Sequence, residues 1–323
     1  MEFIFILSQE NISLSRFELE TLMGRSVKVK ENLAFLESKT NVFSDMKRIS
    51  RLALARQGNI LLFSCNKNDL AENIKSFNWN KYFEEDFYLS TVHMPDNIDK
   101  KKLADIIFRK IEKPKTNVNN PKTIFEIIFE GNTAHVTIRK WINKDDFESR
   151  KAHKRAEHHP TSLHPKLAKA LINLSGVKRG KIIDPFCGSG GIILEAGLMG
   201  LKPIGYDIDE IMLRRAKLNL DAFNLENYRL KLRDARKLEK CNYVITDPPY
   251  GKSSKGKNIQ QLYVDFMKTI SEKVGKRAVI IFPDEFEYSK YASGFSLEIK
   301  GTFKWYVHKK MTRNIVIFDP KNR

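Results

Sequence analysis

KIIDPFCGSGGIILEAGLMGLKPIGYDID, residues 181–209, decides the fold. An apolar run, KIID, breaks into a glycine-rich turn, passes through a helical stretch (190–200) and returns as a second apolar run, KPIGYD (202–207). A strand, a helix and a strand in that order make a right-handed crossover between parallel neighbours. The same alternation continues on both sides. HPKLAKALINLSG (164–176) predicts a helix with Pro165 in its first turn and Leu167, Ala170, Leu171 and Leu174 on one face. EIMLRRAKLNLDAF (210–223) and IQQLYVDFMKTISEKVG (259–275) predict two more helices. YRLKLRDA (228–235), CNYVITD (241–247) and RAVIIFP (277–283) predict the third, fourth and fifth strands. FSLEIKGTFKWYVHKK (295–310) and NIVIFD (314–319) read as an antiparallel pair with no helix between them. The expectation is an α/β fold, a doubly wound Rossmann-like seven-stranded sheet, with ligands beyond the carboxyl ends of its strands.

The first half has another texture. FIFIL (3–7), LAFLES (33–38) and NILLFSC (59–65) read as strands. SRFELETLMG (15–24), DMKRISRLALARQG (45–58) and KKLADIIFRKI (101–111) read as helices. TIFEIIFEGNTAHVTIRKW (123–141) is a hairpin pattern turning at Glu130-Gly131-Asn132. These elements predict one or two small α+β modules before residue 145. The polar stretch KDDFESRKAHKRAEHHP (144–160) reads as a linker.

Composition narrows the partners. The chain has 323 residues and a net charge of +18. Residues 1–158 hold 27 basic and 22 acidic side chains, and residues 159–323 hold 30 and 17. An uneven basic excess favours a polyanion, and nucleic acid is the expected one. The apolar runs are too short for a membrane helix, and no secretory signal is read at the start. Three cysteines without a CxxC pattern exclude a disulfide framework and a cysteine zinc cluster, so a cytoplasmic setting is expected.

The chemistry sits at the strand ends. Gly188, Gly190 and Gly191 let the backbone turn sharply and approach a ligand. The full G-x-G-x-x-G is absent, and so is a phosphate-binding GxxxxGK[ST]. Asp207 can take the two hydroxyls of a ribose, and Asp234 can accept from an adenine amino group. With Asp184 they place an acid at the end of three strands. The fourth strand ends in TDPPYG (246–251), where two prolines stiffen the turn and fix Asp247 relative to Tyr250. The Asp247 carboxylate and the Pro248 carbonyl can accept both hydrogens of an exocyclic amino group and hold its nitrogen for attack on a methyl group. Asp247 stabilises the positive charge that develops on nitrogen. Tyr250 can stack on a base swung out of its helix.

Taken together, residues 159–323 resemble class I methyltransferases that use S-adenosylmethionine, in the branch that acts on exocyclic amino nitrogens. HPTSLHPKLAKALINL (159–174), DPFCGSGGIILEAGLMG (184–200), GYDID and DPPYG, in that order, are similar to the archaeal tRNA (guanine(10)-N2)-dimethyltransferases. The resemblance implies a ferredoxin-like module (1–58), a THUMP-like RNA-binding domain (59–145), a linker (146–158) and the methyltransferase domain (159–323). It implies S-adenosylmethionine as cofactor, with Asp184, Gly188 and Gly190 against its methionine part and Thr161 in the segment closing over the carboxylate. Asp207 would hold the ribose, Ile208 would lie against the adenine, and Asp234 and Ala235 would meet the adenine edge. Asp247, Pro248 and Tyr250 would hold the guanine. Arg-Pro-Phe-Phe character precedes HPTSLHP in the family, whereas KRAEHH stands here (154–159). The implied partner is tRNA; a monomer is expected, with a small activator subunit as a candidate partner and no membrane, DNA or metal. Two alternatives stay open. One is a guanine at another tRNA position or in rRNA; the other is an RNA-binding protein without catalysis.

His158, His159 and His164 cluster without a cysteine, so packing or phosphate contact is expected of them rather than a metal. Cys187 suits the glycine-rich loop by its small size. GKSSKGKN (251–258) can clamp a phosphate backbone or remain a solvated loop. Arg109, Lys110, Lys113 and Lys115 extend a candidate RNA track, and Trp141 is expected in a core or a junction.

Overall fold

The structure is a computed structural model that describes residues 1–158, 162–250, 259–308 and 311–321. The chain divides into two compact units. The first comprises residues 1–12, 25–50 and 55–143, the second residues 13–24, 51–54 and 144–323.

The first unit is built on β1 (Glu2–Leu7), β2 (Lys28–Lys30), β3 (Leu33–Glu37), β4 (Ala55–Asn66), β5 (Phe87–Val92), β6 (Thr123–Glu130) and β7 (Thr133–Ile142). They form one sheet in the order β2-β3-β1-β4-β7-β6-β5, antiparallel except for the parallel pair β5–β6. The chain also forms α1 (Ile12–Met23), the single turn α2 (Met46–Ile49), α3 (Leu70–Ser76) and α4 (Lys100–Lys110). The Asp99 carboxylate starts α4 by accepting the N–H groups of Lys101 and Lys102. The hairpin read at 123–141 is β6–β7, and Trp141 is buried in it. β4 is continuous through residues 58 and 59, where a boundary between two modules is expected, and pairs with β1 on one side and β7 on the other.

DMKRISRLALARQG does not form the expected helix. It gives only α2, an irregular tetrapeptide (51–54) and the start of β4. The reason is a side chain 35 residues away. The buried Glu18 carboxylate, on α1, accepts the backbone N–H groups of Ala53 (2.9 Å) and Leu54 (2.8 Å). Asn173 donates to the Arg51 carbonyl at 2.7 Å. Side chains thus satisfy the peptide groups that a helix would have paired, while Leu52, Ala53 and Leu54 are buried. The helical spacing is met and overridden.

The second unit carries the doubly wound sheet. Its strands are β8 (Lys181–Asp184), β9 (Lys202–Asp207), β10 (Arg229–Leu232), β11 (Cys241–Thr246), β12 (Val274–Pro283), β13 (Leu297–His308) and β14 (Met311–Pro320). The order is β10-β9-β8-β11-β12-β14-β13. The first five are parallel, and β14 runs antiparallel to β12 and β13. Its helices are α5 (Pro165–Leu174), α6 (Gly191–Leu198), α7 (Glu210–Ala222), α8 (Ile259–Lys273) and α9 (Tyr288–Ala292). The AVIIF run of β12 (278–282) is apolar without alternation and fully inaccessible, as in a strand covered on both faces. The strand order reverses between β8 and β11, which fixes where a ligand crevice opens.

The polar stretch expected as a linker belongs with this unit. Asp145 binds Lys169 (2.6 Å) and Arg150 (2.7 Å), and Arg150 also binds the buried Glu195 of α6 (2.8 Å). Asn219 clasps the Glu157 backbone from both sides. Among the described residues, no helix is long and apolar enough to cross a membrane.

Candidate functional site

Four of the five parallel strands, β8, β9, β10 and β11, each deliver an aspartate to the same edge of the sheet. Asp184, closing β8, is buried. Its Oδ1 accepts the Thr246 hydroxyl at 2.6 Å and the Phe186 N–H at 3.2 Å. Burial pushes its carboxyl up to about 7, against the pull of those bonds and with a further push from Asp247 and Asp207. The turn that follows uses glycine where it must. Gly188 has φ +49° and Gly190 has φ +86°. A Cβ on Gly190 would lie 3.2 Å from the Ala216 Cβ. Gly190 also begins α6, whose first N–H groups face the turn.

Asp207, closing β9, reaches across to this turn and accepts the Gly188 N–H at 2.9 Å through Oδ2 and the Asp209 N–H at 2.9 Å through Oδ1. Its carboxyl is raised, mainly by burial. Ile208 beside it is 65% exposed, an apolar side chain left open next to a carboxylate. Asp234, just past β10, caps the turn at 235–237 by accepting the Arg236 N–H, and its carboxylate also binds the Arg236 guanidinium at 2.6 Å. Those bonds hold its carboxyl below the usual range. Ala235 is buried beside it.

Asp247 follows β11 at the head of the Pro-Pro turn. It is nearly buried and accepts the Tyr250 hydroxyl and Arg313 Nη1, the latter at 3.2 Å. Burial lifts its carboxyl to about 6 even with Arg313 pulling down. Tyr250 is held above its ordinary value by burial and by Asp247. The Arg313 guanidinium lies 4.9 Å from the centre of the Tyr250 ring. From below, the Tyr263 hydroxyl of α8 donates to the Pro249 carbonyl at 2.7 Å and pins the turn.

The structure thus gathers Asp184, Gly188, Gly190, Asp207, Ile208, Asp234, Ala235, Asp247, Pro248 and Tyr250 along the carboxyl edge of one sheet. Thr161, His159 and the basic loop 251–258 lie outside the described residues. His164 caps α5 by accepting the Lys166 N–H. Cys187 is buried, and a Cβ on Gly205 would fall 2.8 Å from its sulfur. Arg109, Lys110, Lys113 and Lys115 are exposed in the first unit.

Three groups escape the sequence reading. Thr246 is visible in TDPPYG but tells nothing of its partner Asp184. Tyr263 sits inside an ordinary amphipathic pattern. Arg313 precedes the NIVIF run 66 residues after Asp247. Its only signal is topological: the start of an antiparallel last strand lies on the edge where the parallel strands end.

Comparison with known proteins agrees with this geometry. A family model described as RMKL-like, methyltransferase domain, matches residues 152–314. A second model, described as DNA methylase, matches residues 27–218 and stops short of the Pro-Pro turn. The tRNA (guanine(10)-N2)-dimethyltransferase of Methanothermobacter thermautotrophicus is 29% identical over 99% of both chains. The protein of the same name from Pyrococcus abyssi is 30% identical over 94% of both chains. Among solved structures, TrmN from Thermus thermophilus shares the fold with a TM-score of 0.55 and 16% identity, covering 99% of this chain and 100% of that one.

Proposed function

The chain belongs to the tRNA (guanine(10)-N2)-dimethyltransferase family, and from that premise we propose that it transfers methyl groups from S-adenosylmethionine to the exocyclic N2 of guanine 10 in tRNA, giving N2-methyl- and N2,N2-dimethylguanosine. The observation that carries this reading is the position of Asp247. A nearly buried carboxylate heads a rigid Pro-Pro turn at the point where strand order reverses, close enough to Asp184 to help raise that carboxyl.

The residues fit the cofactor. The turn at 188–190 holds positive φ at Gly188 (+49°) and Gly190 (+86°), so a side chain at either position would be strained and the bare backbone stays open to a ligand. Asp207 has lone pairs left for ribose hydroxyls after accepting two N–H groups. Exposed Ile208 offers an apolar surface for adenine. S-adenosylmethionine supplies an electrophilic methyl group on sulfur. The protein's part is placement and charge. The guanine amino lone pair is spread into the ring, so the nitrogen is a weak nucleophile. Asp247, ionised, and the Pro248 carbonyl accept its hydrogens and hold it in line. The Tyr250 hydroxyl releases Asp247 as the base arrives, and its ring takes the base face. Asp247 balances the positive charge developing at N2 and draws off the proton. A monomethylated amine keeps one N–H, enough to be held again for a second transfer.

The exposed lysines and arginines of the first unit, Arg109 and Lys110 at the end of α4 with Lys113 and Lys115 beyond it, supply the charge for gripping tRNA by backbone and shape, the role of a THUMP-like domain. The test is methyl transfer from labelled S-adenosylmethionine to unmodified tRNA transcripts, digested to nucleosides. Label in N2-methyl- and N2,N2-dimethylguanosine, lost on replacing guanine 10, is the expected result. Label at another nucleoside, or none, overturns the reading.

A further inference from the structure

The Watson–Crick edge of guanine presents an acceptor and two donors in a row: O6, N1–H and the N2 amino group. The site presents the opposite order. Asp247 accepts only, and Arg313, beside it, donates only. Arg313 stands opposite Pro283, the last residue of β12, so the antiparallel register of β14 brings its guanidinium to the edge where the base would enter. Its Nη1 is 3.2 Å from Asp247 Oδ2. Its Nε is buried and has no hydrogen-bond partner among the described residues. A buried donor without an acceptor is costly unless a ligand completes it.

We propose that Arg313 reads O6 of the target guanine, and that the Arg313–Asp247 pair is the edge that selects guanine. The proposal rests on the methyl-acceptor reading above. A carboxylate has about four lone-pair sites, so Arg313 keeps its bond to Asp247 when N1–H and N2–H arrive. Guanine O6 is a preferred acceptor for arginine, which takes it together with N7 in the major groove; on the Watson–Crick edge O6 is the one acceptor offered to Arg313. Adenine fails at this edge, because its N1 lone pair faces the Asp247 carboxylate and its N6 hydrogens face Arg313. Cytosine aims the lone pair of N3 at the same carboxylate. An amide in place of Asp247 would offer one acceptor and two donors, an edge that no longer matches guanine.

The experiment uses tRNA assembled by splinted ligation with either guanosine or 6-thioguanosine at the methylated position. The sulfur analogue keeps N1–H and the amino group and replaces O6 with a poor acceptor. For the wild-type chain, kcat/KM is expected to favour guanosine about tenfold, roughly one hydrogen bond. Arg313→Met is expected to methylate both slowly and alike, while Arg313→Lys keeps most of the preference. Calorimetric binding of S-adenosylhomocysteine by each variant, at the wild-type affinity, checks that the fold is intact. An unchanged preference in Arg313→Met, or none in the wild type, overturns the proposal while leaving the methyl-transfer reading standing. Failure of the wild type to methylate guanosine at all overturns both.

Discussion

The Thr246 hydroxyl donates to the Asp184 carboxylate across 2.6 Å, joining the ends of β11 and β8 at the point where the strand order reverses. In the proposed reaction Asp184 borders the cofactor and Thr246 precedes the turn that holds the acceptor, so one hydrogen bond would span both halves of the site. Among the described residues no cation pairs with this buried carboxylate, and burial raises it to about 7.

Asp184→Asn should therefore stabilise the substrate-free protein and disable it. Burial raises the native carboxyl above its unfolded value, so the native state holds a proton that the unfolded chain has released. The stability linked to that proton is present at acid pH and lost as pH rises through about 7. The amide cannot ionise, so thermal scans should show a gain of roughly 2 °C or more at pH 8 and a smaller one at pH 5. Calorimetry should show S-adenosylhomocysteine binding weakened at least tenfold. A variant less stable than wild type at pH 8 would contradict this account of Asp184.

Asp247→Ala should keep cofactor affinity and lower kcat by about 100-fold or more, the scale of losing one preorganised charge at the reacting atom. The proposed reaction needs Asp247 ionised, and burial lifts its carboxyl to about 6. The rate should rise with pH through that value and level off above it. A flat profile between pH 5 and 8 would remove Asp247 from the mechanism.

Arg150→Met should cost about 3 kcal/mol, because it leaves the buried Glu195 carboxylate unpaired. Arg150→Met with Glu195→Leu should recover most of that loss, since Asp145 keeps Lys169. Urea denaturation of the two single variants and the double variant measures the coupling; additive losses would refute it.

Glu18→Gln should cost about 1–3 kcal/mol, since one amide oxygen cannot replace two carboxylate oxygens each accepting a backbone N–H. The conservative change isolates hydrogen bonding from packing. Denaturant midpoints decide the matter, and a neutral result would mean that water serves Ala53 or Leu54 instead.

The parallel sheet was legible because its central strands carry continuous apolar runs, such as AVIIF in β12, and its turns carry glycine, aspartate and proline at their ends. The two faces of chemistry, DPFCGSGG and DPPY, are local motifs and lie where the reading places them. What was illegible is non-local. Arg313 belongs to the site only because β14 turns back along β12, and no residue near it announces Asp247. The segment 51–54 keeps helical spacing and loses the helix to Glu18. β2, α3 and β5 are short or mixed in pattern and carry no signal of their own.

The membership of α1 and residues 51–54 in the second unit limits how this protein can be divided or recombined. Leu14, Ala53 and Leu54 lie in one cluster with Leu163, Leu167 and Ile172. A chain started at residue 144 would therefore have an open wound in its core rather than a clean surface. The catalytic half is not a cassette. Moving it into another protein would require carrying residues 13–24 and 51–54 along with it.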